Sequence, residues 1–237
     1  MTRIIAIPLG YILKALYGFL GNYALTIILF TIIIRLIILP LYAAQMRSTQ
    51  QMSEIQPLVK EIQTKYANDR ETMGMKMQEL YQEHKIRPAM GCLPLLIQLP
   101  IIWGLFALLR TPLQYLGDNS TMVLAVHEPF LWVNDLCQPD PIILPIIAGI
   151  ATFISMKFSM TPGSMEGPTG STMKIMQYFM PVMIAIMGTQ LPAGLTLYWI
   201  ISYIFQIFQI RITRMMKDRS KTKKKKKKKR KTAGSLN

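Results

Sequence analysis

Five apolar runs dominate the hydrophobic pattern of the chain: 22–42, 89–109, 142–160, 174–190 and 192–210, none containing an Asp or Glu. A helix crosses the roughly 30 Å hydrocarbon core of a bilayer with about 20 residues, and about 17 suffice at the short end. The runs therefore predict an all-α membrane protein with five transmembrane helices. Between 43 and 88 the pattern becomes amphipathic. Ile55, Val59, Ile62 and Tyr66 fall at i, i+4, i+7 and i+11, and Met73, Met77, Leu80 and His84 repeat that spacing. Asn68-Asp69 supplies turn chemistry between the two stretches, so 43–88 reads as a helical hairpin, with Pro57 breaking the chain between span one and the first arm. Residues 1–21 place Ile5, Leu9, Ile12, Leu16 and Phe19 at 3/4 spacing, interrupted by Pro8, Gly10, Lys14 and Gly18. That predicts an amphipathic helix lying on the membrane surface, not a cleaved signal. The remaining connections are an outer loop at 110–141, a flexible Gly/Pro/Ser-rich linker at 161–173, and Pro192-Ala193-Gly194, which forces spans four and five into a tight antiparallel pair.

Charge fixes the orientation. The 237 residues carry a net +15 although only 16% are charged, against about 25% in soluble domains. Segment 211–237 holds fourteen basic residues and one acid, a net of +13, so the body is nearly neutral and a uniformly basic nucleic-acid-binding domain is excluded. Segment 43–88 carries seven Lys and Arg, while 110–141 carries only Arg110 against Asp118, Glu128, Asp135 and Asp140. By the positive-inside rule the N-terminus is extracytoplasmic and the hairpin, the 161–173 linker and the tail are cytoplasmic; Arg3 and Lys14 run against it. Cys92 and Cys137 then sit on opposite sides of the bilayer, too far apart for a disulfide.

Arg35 is the principal candidate for function. It lies inside span one between Ile32-Ile33-Ile34 and Leu36-Ile37-Ile38-Leu39, and no span offers a carboxylate. Arginine stays protonated in proteins, so this cation needs water, polar side chains or an incoming anion unless it snorkels to the cytoplasmic interface. Thr31 lies one turn before it. Tyr198, Ser202, Gln206 and Gln209 form a polar stripe along span five, with Trp199 beside it and Gln98 in span two. These residues outline a hydrophilic groove, although interhelical hydrogen bonding would use the same side chains. Met173, Met176, Met180, Met183 and Met187 line one face of span four, as a packing face or as a pliable surface for varied apolar segments.

The tail contains Lys223, Lys224, Lys225, Lys226, Lys227, Lys228 and Lys229, then Arg230 and Lys231. Such a block repels itself and is expected to be disordered. It suits anionic lipid or ribosomal RNA phosphates, which it would bind without reading sequence.

Long ordered stretches of the chain resemble the bacterial YidC/Oxa1/Alb3 family of membrane protein insertases. They are NYALTIILFTIIIRLIILPL with its Arg35, MGCLPLLIQLPIIWGLFALL, FLWVNDLCQPDPIILPII and MPVMIAIMGTQLPAGLTLYWIISYIFQ. The likeness is to the short, Gram-positive-like form, expected to have neither a large extracytoplasmic domain nor a lipoprotein cysteine. The resemblance implies five helices around a groove open to cytoplasm and lipid, lined by Arg35 and Thr31, with Tyr198 and Trp199 near the substrate path. It implies a monomeric insertase and chaperone of the bacterial plasma membrane. Its partners would be nascent membrane proteins, lipids, the ribosome and a Sec translocon. On this reading Ile55, Val59, Ile62, Met73, Met77 and Leu80 of the hairpin contact the client.

Enzymatic readings fare worse. The spans hold no acid and no His for an intramembrane protease or a proton-coupled carrier. No GxxxxGK[ST] nucleotide loop is present, and no cofactor or metal is expected. An anion-conducting channel or transporter lined by Arg35 is the surviving alternative.

Overall fold

The computed structural model describes residues 2–86, 93–111, 120–159 and 168–233. Cys92, Asp118 and most of the 161–173 linker lie outside the described residues, as do the side chains of Lys223–Lys231. Every element of the described residues is an α-helix: α1 Thr2–Leu20, α2 Tyr23–Ile37, α3 Leu39–Glu54, α4 Gln56–Lys65, α5 Arg70–Glu83, α6 Leu93–Arg110, α7 Ser120–Ala125, α8 Ile143–Ser159, α9 Pro168–Gly188 and α10 Ala193–Ala233.

Helix α1 packs against α6 and α2. Its buried face is Ala6, Leu9 and Leu13, not the full stripe expected, because Ile12 and Phe19 point away, Phe19 at 90% exposure. Gly104 explains the choice of face. A Cβ at that position would stand 2.6 Å from Leu9 Cδ1, so the missing side chain lets α1 seat against α6. The helix ends at Gly21, whose φ of +59° is the left-handed conformation that glycine adopts freely at a helix C-terminus. Asn22 then caps α2 by accepting a bond from the Leu25 amide at 3.0 Å.

Span one is not continuous over 22–42. The helix breaks at Ile38 and turns by 59° into α3. Pro40 accounts for this: at the second position of α3 its ring has no N–H to donate back to α2. Pro57 acts likewise after the break at Ile55. Arg35 consequently lies in the last turn of α2.

The α4–α5 pair is joined by the turn at 66–69, with Asp69 capping α5 through Thr72 at 3.0 Å. Ile55, Val59, Leu80 and Ile86 form its buried seam, flanked by Met52, Ile62, Met77 and Tyr81. Met73 and His84 stay outside it, because the helix turns Tyr81 inward instead.

Helix α8 packs against both α9 and α10, and α10 also meets α2 and α6. Helices α9 and α10 barely touch, so the Pro192-Ala193-Gly194 break does not make spans four and five the tight antiparallel pair expected; α8 lies against both instead. Glycine sets the α8–α9 approach. A Cβ on Gly149 would lie 3.1 Å from both Ala185 Cβ and Pro181 O, and one on Gly188 would lie 3.2 Å from Pro145. The face of α9 that turns inward is Gln177, Pro181, Ile184 and Gly188, while Met176 and Met187 are exposed. Met180 and Met183 are half-buried beside that face, and the side chain of Met173 lies outside the described residues. The common core holds Phe30, Leu105, Leu108, Leu195, Tyr198 and Trp199.

Among the described residues one helix segment, Ala193–Thr213, is long and apolar enough to cross a membrane, and the bent α2–α3 pair passes if taken as one span. Ile4–Leu20, Gln98–Arg110, Ile143–Ser159 and Lys174–Gly188 are shorter apolar helices. The disorder expected of 211–237 gives way to helix, since α10 continues to Ala233. Lys and Arg are good helix formers, and extending an existing helix avoids the cost of nucleation.

Candidate functional site

The side chains expected around Arg35 come from α2, α6 and α10, which meet in the common core. Arg35 is half-buried. No carboxylate among the described residues lies within salt-bridge distance of it. Tyr198 and Tyr203 of α10 lie within electrostatic range of it. Position adds a second compensation, because the unpaired carbonyls at the C-terminus of α2 present partial negative charge to a cation in the last turn.

Tyr198 is buried and bridges two helices, its hydroxyl accepting from Gln98 Nε2 at 2.7 Å. Ser202, one turn further along α10, faces Tyr198, but its buried hydroxyl has no partner in hydrogen-bonding geometry. Gln206 is half-buried, and Gln209 is buried with both amide atoms unpartnered. Thr31 is fully buried, yet its hydroxyl donates to the Ile27 carbonyl of its own helix at 2.6 Å and does not reach out to Arg35. Trp199 packs into the apolar core beside Tyr198.

Sequence reasoning left out part of this polar interior. Thr152 and Ser155 of α8, which packs on α10, are also buried, the Thr152 hydroxyl donating to the Ala148 carbonyl at 2.7 Å; Gln177 of α9 is buried too, on a helix packed against α8. A usable signal existed in the i, i+3 spacing of Thr152 and Ser155 within an otherwise apolar run. The interior of the helix cluster thus holds one cation, several hydroxyls and amides, and buried polar atoms with hydrogen-bonding capacity to spare. Such groups are costly to bury dry and favourable toward water or a polar ligand.

The hairpin residues expected to meet a client are placed otherwise. Ile55, Val59 and Leu80 are buried in the α4–α5 seam, with Ile62 and Met77 packed on it. Ile62, Met73 and Met77 remain half-buried. Leu58 and Met75 are the large apolar side chains that the pair exposes.

The 120–142 loop closes the other end of the molecule. Glu128 accepts from the Tyr17 hydroxyl of α1 and, at 2.7 Å, from the Tyr23 amide at the start of α2. Trp132 Nε1 donates to Asp140 at 2.7 Å, and the other oxygen of Asp140 caps α8 through the Ile142 and Ile143 amides. His127, Asp135 and Cys137 bring possible metal-ligand atoms within 4.8 Å of one another. All three are already engaged, however: His127 with Asp135 at 2.9 Å, and the Cys137 thiol with the Leu109 carbonyl at 2.9 Å. Burial, with Asp135 nearby, pushes the Cys137 thiol up to about 12, so it is held as a neutral donor. The Leu136 and Gln138 carbonyls receive the Gly194 and Ala193 amides, which fastens this loop to the start of α10.

A family model described as 60Kd inner membrane protein matches residues 15–222. A protein of Listeria innocua named membrane protein insertase YidC 2 is 42% identical over 216 residues, covering 88% of this chain and 70% of its own. One of Caldanaerobacter subterraneus subsp. tengcongensis, named membrane protein insertase YidC, is 40% identical over 221 residues, covering 91% and 98%. The chain belongs to the YidC insertase family. The fold agrees with a crystal structure described as an active YidC insertase with its first transmembrane domain resolved, at a TM-score of 0.62 and 26% identity, over 86% of this chain and 44% of that longer one.

Proposed function

We propose that this chain is a membrane protein insertase whose working surface is the polar interior around Arg35. The observation that carries the reading is a cation with no carboxylate within salt-bridge distance among the described residues, within electrostatic range of Tyr198 and Tyr203, in a member of the YidC family; Tyr198 is in turn bonded to Gln98. In this reading α2–α3, α6, α8, α9 and α10 are the five spans of a bacterial plasma membrane protein. The N-terminus is extracytoplasmic and the tail cytoplasmic. The apolar helices shorter than a full span fit a body that thins the bilayer around it, which shortens the path that polar residues must cross.

A nascent chain enters from the cytoplasm with its short outer segment leading. Arg35 attracts acidic side chains of that segment through a low-dielectric surround, and the hydroxyls and amides of α10 and α8 replace part of their hydration. The substrate's apolar helix then partitions into lipid, and the membrane potential draws an acidic tail outward. No covalent step is needed. The tail on α10 delivers cargo by contacting ribosomal RNA phosphates or anionic lipid, and a Sec translocon is a further partner. The chain works as a monomer.

Reconstitution of Arg35→Ala in liposomes tests this reading. Insertion of a single-span substrate with an acidic outer tail is expected to slow about tenfold, equivalent to about 1.4 kcal/mol, while a neutral-tailed substrate changes little. Unchanged insertion of the acidic substrate, or an anion conductance in planar bilayers that disappears with Arg35, would favour the channel reading instead.

A further inference from the structure

The loop that closes the outer end carries a feature the insertion mechanism does not use. Phe130 and Val133 exchange backbone hydrogen bonds at 2.8 and 2.9 Å, which makes Leu131 and Trp132 the two central residues of a tight hairpin turn. Leu131 has φ of +55° while Trp132 does not enter that region. This is the position glycine normally occupies in such turns, and a leucine there is strained. The strained residue has nothing to pack on: Leu131 is 74% exposed and Trp132 44%. A large apolar pair is thus held outward at an unfavourable backbone angle.

The surroundings indicate what the pair meets. Trp132 donates its indole N–H to Asp140, the residue that caps α8. The turn is therefore fixed at the N-terminal end of α8, where Ile142, Ile143, Ile146, Ile147, Ile150 and Ile154 form one exposed apolar stripe. With the N–H satisfied inside the protein, the ring can enter an apolar phase without stranding a donor. We propose that Leu131 and Trp132 are an anchor in the outer leaflet, seated at the junction of headgroups and acyl chains. There they fix the level at which α8 and the loop closing the polar interior ride in the bilayer. Aromatic side chains favour that depth, and a lipid surface is continuous with the α8 stripe. The inference rests on the reading of α8 as a membrane span.

The test uses full-length protein with one tryptophan at a time, in vesicles whose lipids carry bromines at set depths along the acyl chain. A variant keeping only Trp132 (Trp103→Phe, Trp199→Phe) is expected to emit toward the blue and to lose most emission with the shallowest bromines. Trp103, exposed on α6 about 10 Å from Arg110 along the helix, is the internal standard and is expected to lose most to deeper bromines. Adding Leu131→Asn, a residue that tolerates positive φ, is expected to leave the fold intact and weaken shallow quenching of Trp132. If Trp103 is quenched by lipid while Trp132 responds only to aqueous acrylamide, the helices span and the anchor is overturned, leaving the turn to face water or a protein partner. If neither responds to lipid bromines, the spanning reading itself fails, and the anchor with it.

Discussion

Arg35 is both the most legible residue of this chain and the one whose setting changed most in three dimensions. A lone cation in an acid-free apolar run is visible in sequence, because nothing local can neutralise it. The break at Ile38 was not anticipated, although Pro40 was there to read, and it moves Arg35 from mid-helix to a helix C-terminus. The dipole there offsets part of the burial cost, but no carboxylate among the described residues lies within salt-bridge distance of the side chain. Arg35→Ala is accordingly expected to leave the thermal midpoint in detergent unchanged or raise stability by up to about 2.5 kcal/mol. A loss above about 1 kcal/mol would mean that Arg35 is structural. Glu128 shows the opposite case. As one of four acids in a loop it carried no signal, because its partners Tyr17 and Tyr23 lie 111 and 105 residues away. Pairings at that separation are products of the fold and leave no local spacing to recognise.

At the scale of elements, periodicity located helices well and assigned their faces less well. The 3/4 stripe of residues 1–21 identified a helix, but Gly104 decided which side packs. The hairpin stripes likewise identified most of the seam of α4 and α5, in which Ile55, Val59 and Leu80 are buried while Met73 and His84 stay outside. Span four's methionines drew attention that belonged to its glycines and prolines. Among apolar helices in lipid, close backbone approach drives association more than apolar burial does, so Gly149 is expected to be sensitive. Gly149→Leu should cost about 1–3 kcal/mol through overpacking against Pro181 and Ala185. Gly18→Ala, with nothing within 4 Å of the new methyl group, should be neutral or mildly stabilising. Thermal unfolding of the two variants in one detergent checks the contrast, and equal effects would contradict the α8–α9 packing described.

For the whole molecule, the net charge of +15 separates into a nearly neutral helical body and a basic extension of α10. A chain ending at Ser220 loses ten basic residues. It is expected to co-sediment with ribosomes at least about tenfold less at low salt, with the difference vanishing as salt rises; retained binding would assign the tail to lipid alone. The all-helical class followed from the apolar runs. What the runs could not give was the meeting of α2, α6 and α10, since contacts such as Gln98 with Tyr198 depend on how helices far apart in sequence pack. That meeting is the central claim, and photo-crosslinking tests it most directly. Probes at Thr31 and Trp199 should both capture a ribosome-stalled nascent chain carrying an acidic outer segment, and capture should fall when Arg35 is replaced by Ala. Crosslinks confined to the exposed isoleucine stripe of α8, with none from Thr31 or Trp199, would contradict the account.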